Sequence, residues 1–202
     1  MSTVPLDLET DTVVLPPPRL PDGASFELLL KRRRSTRGFL PDALTLPSLS
    51  ALLWAAFGIN RIERGGRTAP SAHDWQEIEV FAVLKEGSYR YDPRAHRLLL
   101  VKAEDLRALT GTQDFAASAP LNLIYVADRA RMTGVRPNEF EFLAGADAGC
   151  IAQNVYLAGA ALDLAVVVRA LIDRRALAAA LGLAPTQRIT LAQSVGLAAH
   201  GT

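Results

Sequence analysis

The sequence predicts an α+β fold, a sheet with helices packed against it. Strand-like and helix-like segments are mixed without the regular βαβ alternation that builds a doubly wound sheet. Residues 140–162 carry the longest helical pattern, and residues 121–127 form an apolar run that reads as a strand buried on both faces. Half of the 202 residues are hydrophobic, so a sizeable core is available.

In chain order, residues 1–22 carry five prolines, and Pro16-Pro17-Pro18 favours an extended polyproline conformation. This segment is expected to be an arm, on the surface or reaching to a neighbour, ahead of a single domain over 23–202. Ser25 to about Arg34 is expected to be helical, with Phe26, Leu29 and Leu30 on one face. Directly after it, Arg32-Arg33-Arg34-Ser35-Thr36-Arg37 places four guanidiniums and two hydroxyls in six residues. Arginine holds phosphate through a planar fork of donors, and a hydroxyl adds a short bond. The competing reading is a solvated helix end, because cations are favoured at helix C-termini. Ser35 and Arg37 fall in the turn after the helix, where a solvated face has no need of them.

Thr45 is the predicted N-cap of a second helix. There Leu49, Leu52, Leu53, Ala56 and Phe57 follow helical spacing and Gly58 supplies the stop. Gly65-Gly66 opens a loop through Pro70-Ser71-Ala72-His73-Asp74-Trp75-Gln76, a dense polar mixture leading into a strand at 78–83. Residues 88–91 and 97–101 extend again as a meander around Tyr91-Asp92-Pro93. A short helix is expected over 104–109 and a buried strand over 121–127. In the long helix, three glycines each cost roughly 1 kcal/mol against alanine, which predicts a close-packed partner or ligand. Cys150 within it reads as a small buried hydrophobe. Gln153 and Asn154 suit either a ligand or interhelical hydrogen bonds. A strand at 164–168, a helix at 174–181 and a strand at 188–195 complete the chain, with no internal repeats.

A net charge of +1 argues against a nucleic-acid partner. One cysteine excludes an internal disulfide and a multi-cysteine metal site, and His73, His96 and His200 show no metal-binding spacing. With no secretory pattern and no apolar run of about 20 residues, a cytoplasmic protein without membrane contact is expected.

Five segments match one pattern in order: Arg33 to Phe39, Pro70 to Gln76, Asp147-Ala148-Gly149 with Gln153-Asn154, Val167 to Ala170, and Ala192 to Gly196. The chain resembles the nitroreductase family of FMN-dependent enzymes. Its Tyr91-Asp92-Pro93 meander and Leu15-to-Pro18 arm look like the branch that includes peptide-thiazoline dehydrogenases. The resemblance implies a central mixed β-sheet flanked by helices, in a homodimer with the long helix and two FMN sites at the interface. It implies that Arg33, Ser35 and Arg37, with Arg34 nearby, hold the phosphate, ribityl chain and pyrimidine edge. Ser71 and Asp74 would reach the partner's flavin, and Gln113 the pyrimidine edge. Val168, Arg169 and Ala170 would pass the dimethylbenzene and N5 side, with the Ala170 backbone N–H near N5.

The family commonly has Asn at position 74, Pro at 77 and Gly at 170, where this chain has Asp, Glu and Ala. Many relatives also continue in a basic tail that helps hold phosphate, a part that falls here to Arg34 or His200. The implied function is an FMN-dependent oxidoreductase passing hydride from NAD(P)H to a small oxidised acceptor, nitroaromatic or quinone, by ping-pong kinetics. No protein nucleophile is required, because the cofactor carries the redox chemistry. Two alternatives stand beside it: a flavin-dependent dehydrogenase of a peptide or small heterocycle re-oxidised by O₂, and a non-catalytic flavin-binding storage or sensor protein.

Overall fold

The computed structural model describes residues 11–199. Its centre is a seven-stranded sheet. From edge to edge this runs β1 (Thr12–Val14), β6 (Arg97–Lys102), β5 (Ser88–Asp92), β4 (Ile78–Leu84), β7 (Leu121–Asp128), β9 (Gln187–Leu197) and β8 (Leu164–Arg169). A short ribbon of β2 (Ile59–Arg61) and β3 (Gly66–Arg67) lies apart from it. The helices are α1 (Phe26–Arg32), α2 (Leu46–Phe57), α3 (Asp114–Ser118), α4 (Phe140–Ala161) and α5 (Arg174–Ala180).

The α+β class is as the sequence predicts, but every pairing in the sheet is antiparallel rather than mixed. The cause is the placing of β9. Helix α4 carries the chain from β7 across to a parallel β8, and β9 then returns between the two and pairs with both. The prolines of the predicted arm do not keep it off the sheet. Thr12–Val14 pairs with Arg97–Leu99 as an edge strand, and Leu15 is buried. Behind it, the His96 ring and the Ser50 hydroxyl both bond Pro16 O.

Strand alternation explains how the sheet is covered on both faces. Leu121, Leu123, Tyr125 and Ala127 of β7 join the core under α2 and α4, while Ile124 and Val126 face a second cluster with Leu177 and Leu181 beside α5. Thr45 caps α2, its hydroxyl accepting Ser48 N–H at 3.3 Å, a device worth about 1 kcal/mol. All five predicted apolar positions of α2 are buried. Helix α4 lies so close to β8 that a Cβ at Gly159 would fall 2.4 Å from Val166 Cγ2. Its other two glycines, Gly145 and Gly149, have nothing within 4 Å of the Cβ direction.

Helix α1 forms where expected but buries none of its residues; it contacts α4, and Phe26 remains 65% exposed. Two expectations need correcting. Cys150 is exposed, not buried, because it sits on the outward face of α4 with Gly149 and Gln153. The short helix of 104–109 is a 3₁₀ turn at Arg107–Thr110.

Candidate active site

After α1 the chain leaves the helix at Arg33, whose N–H still donates to Leu29 O. The turn is then fixed to the sheet: Thr36 N–H donates to Val166 O (2.9 Å) and Leu40 N–H to Leu197 O (2.9 Å). Between the turn, α4 and β8 lies a cleft of about 560 Å³, lined by Lys31, Arg32, Arg33, Arg34, Tyr156 and Asp163 among others. Four cations face one carboxylate, so the cleft favours an anion.

Tyr156 of α4 organises this region. Its hydroxyl accepts Val168 N–H at 2.9 Å and shares a 2.7 Å bond with Ser35 Oγ. The Arg33 guanidinium lies 5.4 Å from its ring centroid. Sequence reasoning missed this residue. Its only signal is a large polar-tipped side chain in a helix otherwise rich in alanine and glycine.

Phe115, also unpredicted, is a second junction. The Phe39 ring packs at 6.0 Å and the Arg169 guanidinium at 5.9 Å from its centroid. Thr112 N–H donates to Leu171 O at 3.2 Å, which places Gln113, the cap residue of α3, beside the exposed turn at Ala170. The Arg169 side chain is 4% exposed and turned into the protein. It donates to Thr110 O (2.7 Å), Asn122 Oδ1 (2.7 Å) and Ser194 Oγ (3.0 Å). Burial brings its pKa down to about 10. Any part this residue plays toward a ligand therefore falls to its backbone.

Ser71 and Asp74 lie elsewhere. Ala72 N–H donates to Asp147 Oδ2 (2.8 Å), which seats their loop near the start of α4. Asp147 and Tyr156 are nine residues apart, about 13 Å of helix. His73, Asp74 and Gln76 all have positive φ, at 50°, 54° and 51°. Such non-glycine conformations cost of order 1–3 kcal/mol each and persist only when their surroundings enforce them. Here Ser71 Oγ accepts Gln76 N–H (2.8 Å) and donates to Glu77 Oε2 (2.9 Å), while Gln76 Nε2 donates to Asp74 Oδ1 (3.0 Å).

Glu77 is fully buried, and its Oε1 has no hydrogen-bond partner among the described residues. Burial first, and then the charge of Asp147, push its carboxyl up to about 7 from an ordinary 4.5. The folded state therefore keeps a proton that the unfolded chain releases near 4.5. The stability gained by keeping Glu77 neutral is complete below pH 4.5 and is lost as pH rises through 7. Unfolding titrations across that window should show stability falling with pH, and Glu77→Gln should flatten the slope. An unchanged slope in the variant would assign the pH dependence to other groups.

Of the predicted residues, Arg33 and Arg34 line the cleft, and Ser35 and Val168 meet at Tyr156 beside it. Arg37 lies exposed in the same turn, and Gln113, Arg169 and Ala170 gather around Phe115 and the end of β8. Ser71 and Asp74 stay at the far end of α4. His200 lies outside the described residues.

These features define an antiparallel α+β protein with an anion-favouring cleft between its long helix and a sheet edge. Residues 30–197 match the nitroreductase family, and the chain belongs to it. A provisionally named nitroreductase of Methanocaldococcus jannaschii, MJ1384, is 34% identical over 161 residues, covering 74% of this chain and 81% of that protein. The crystal structure of a provisionally named nitroreductase from Ralstonia eutropha is 43% identical with a TM-score of 0.90, covering 95% of this chain and 91% of its own. A Desulfovibrio desulfuricans protein of the same provisional name, solved in complex with FMN, shares the fold at 24% identity and a TM-score of 0.62, over 85% of each chain.

Proposed function

We propose that the protein is an FMN-dependent oxidoreductase, a homodimer with shared flavin sites, that passes hydride from NAD(P)H to a small oxidised acceptor of nitroaromatic or quinone type. The observation that carries this reading is the Tyr156 junction. One hydroxyl joins the arginine-rich turn at Ser35 to the β8 backbone at Val168, beside a cationic cleft.

The residues present fit the cofactor. A cleft of about 560 Å³ is within the size range of cofactor pockets, roughly 300–1,000 Å³. Its cation excess suits a phosphate dianion. Arg33 and Arg34 would balance the phosphate, Ser35 would add a hydroxyl bond, and Arg37 and Gln113 would meet the polar edge of the ring. The Val168–Ala170 backbone would line the opposite side. Bound FMN supplies a reversible two-electron hydride acceptor, and the chain contributes position, charge and exclusion of water. Ser71 and Asp74 sit by the Asp147 part of α4 and do not line this cleft, so they would serve the flavin of a second copy. Asp74 as a carboxylate accepts a hydrogen bond but has none to donate.

The decisive experiment is the visible spectrum of freshly purified protein, with the released chromophore identified after heat denaturation. FMN at about one equivalent per chain, reduced by NADH or NADPH and reoxidised by a quinone, is the expected result. Tyr156→Phe should weaken FMN binding about tenfold, the loss of one or two hydrogen bonds. A colourless protein that takes up no added FMN would overturn the reading and return the arginine run to a solvated helix end.

A further inference from the structure

Sharing no residue with the cleft, β3, the start of β4 and the β5–β6 hairpin form a second, smaller pocket of about 160 Å³. Arg67, Arg90, Arg94 and Arg131 line it, opposed by Glu79 and Asp92. The two carboxylates are already engaged. Glu79 takes Arg131 (2.8 Å), Arg90 (3.3 Å) and the Gln187 amide (2.7 Å). Asp92 takes Arg97 (3.1 Å) and the backbone N–H groups of Arg94 and Ala95.

Arg67 forms no ion pair within 4 Å among the described residues, and Asp74 acts on it only from farther away. Its guanidinium lies 5.1 Å from the Phe57 ring centroid, and Nε donates to Gln76 Oε1 at 2.8 Å. Its Nη1 is buried with no hydrogen-bond partner among the described residues. A buried, unpaired guanidinium nitrogen is uncommon and calls for an acceptor. Burial, followed by repulsion from Arg94, lowers the Arg67 pKa, with Arg131 acting in the same direction.

We propose that this pocket is a second anion site, which takes a phosphate-type dianion, either free or as the end group of a larger ligand. Size and charge both favour that class. The volume holds about five waters, too small for a whole cofactor but sufficient for a tetrahedral oxyanion. Four guanidiniums line the pocket against two carboxylates, and even with Arg97, Asp74 and Asp128 close by the balance stays positive, which suits a phosphate carrying about −1.5 to −2 at neutral pH. Guanidinium forks bind such oxygens in pairs. The site does not depend on the flavin reading, since it shares no residue with the flavin cleft. It does touch the strained loop: Arg67 holds the Gln76 side chain and Arg131 Nη1 donates to Gln76 O at 3.2 Å. An anion held here would steady the segment that carries Ser71 and Asp74.

The test is calorimetric titration of inorganic phosphate into the full chain with FMN added in excess, comparing Arg94→Gln, Arg67→Gln and Arg33→Gln. Saturable binding that Arg94→Gln and Arg67→Gln each weaken about tenfold or more, and that Arg33→Gln leaves intact, is expected. Arg67 also supports the loop, so Arg94, an exposed hairpin residue, provides the variant that keeps the fold. Adenosine 2′-phosphate in place of phosphate identifies the source. Binding tighter than phosphate and still dependent on Arg94 marks the end group of a nucleotide, and equal binding marks the free ion. Absence of saturable binding, or binding that Arg33→Gln abolishes and Arg94→Gln does not, overturns the proposal.

Discussion

If the proposed homodimer packs through α4, replacing Gly149 by lysine is expected to separate the subunits and release the proposed flavin while leaving the monomer fold intact or slightly more stable. Gly149 is exposed on α4, and a Cβ there meets nothing within 4 Å. Within one chain the substitution adds helix propensity, a gain of roughly 0.5–1 kcal/mol. The same face presents Ala146, Cys150, Gln153 and Phe142, the last 75% exposed. If a second α4 packs there, a lysine side chain has no room, and two copies of its charge oppose each other near the symmetry axis. Separation of the subunits would also remove Ser71 and Asp74 from each flavin, so FMN affinity should fall at least a hundredfold, about 2.7 kcal/mol. Sedimentation and retained chromophore, measured together, decide it. A variant that stays dimeric and yellow would place the interface elsewhere.

Arg169→Met carries the second large effect. Methionine fills much of the same space but supplies no donors, so Thr110 O loses its partner and the polar cluster of Asn122 and Ser194 loses its cation. A buried acceptor left unpaired costs about 1–3 kcal/mol, and bonds to a charged donor are the stronger kind. Against this, the variant is spared the burial of a guanidinium that pairs with no carboxylate among the described residues, the burial that brings the Arg169 pKa down to about 10. The bonds outweigh it because three separate segments converge on one side chain, and a net loss of about 3 kcal/mol is expected. For a chain of 202 residues that corresponds to a fall of about 10 °C in melting temperature. The fit around the guanidinium is close: a Cβ at Gly111 would lie 1.9 Å from Arg169 Nη1. A loss under about 1 kcal/mol in urea unfolding would show that the network adds little net stability.

Local chemistry was legible in the sequence wherever one segment sufficed. The capped α2 with its buried face, the apolar β7, the extent of α4 and the arginine-rich turn after α1 all follow from spacing and propensity within a few turns of chain. The cation cluster that lines the cleft was visible for the same reason, since Arg32, Arg33 and Arg34 are consecutive. What joins distant segments was not legible. Nothing near position 156 announces that its hydroxyl will meet Ser35 and Val168, and nothing near 169 that its guanidinium will turn inward to Thr110. Sheet direction depended likewise on where β9 was inserted, and Cys150 was misplaced because an alanine- and glycine-rich helix shows no polar stripe to mark its outer face. Sequence patterns encode which side of an element is apolar, whereas partners across 121 residues, as for Ser35 and Tyr156, are fixed only when the whole chain has packed and each buried polar group has found its match.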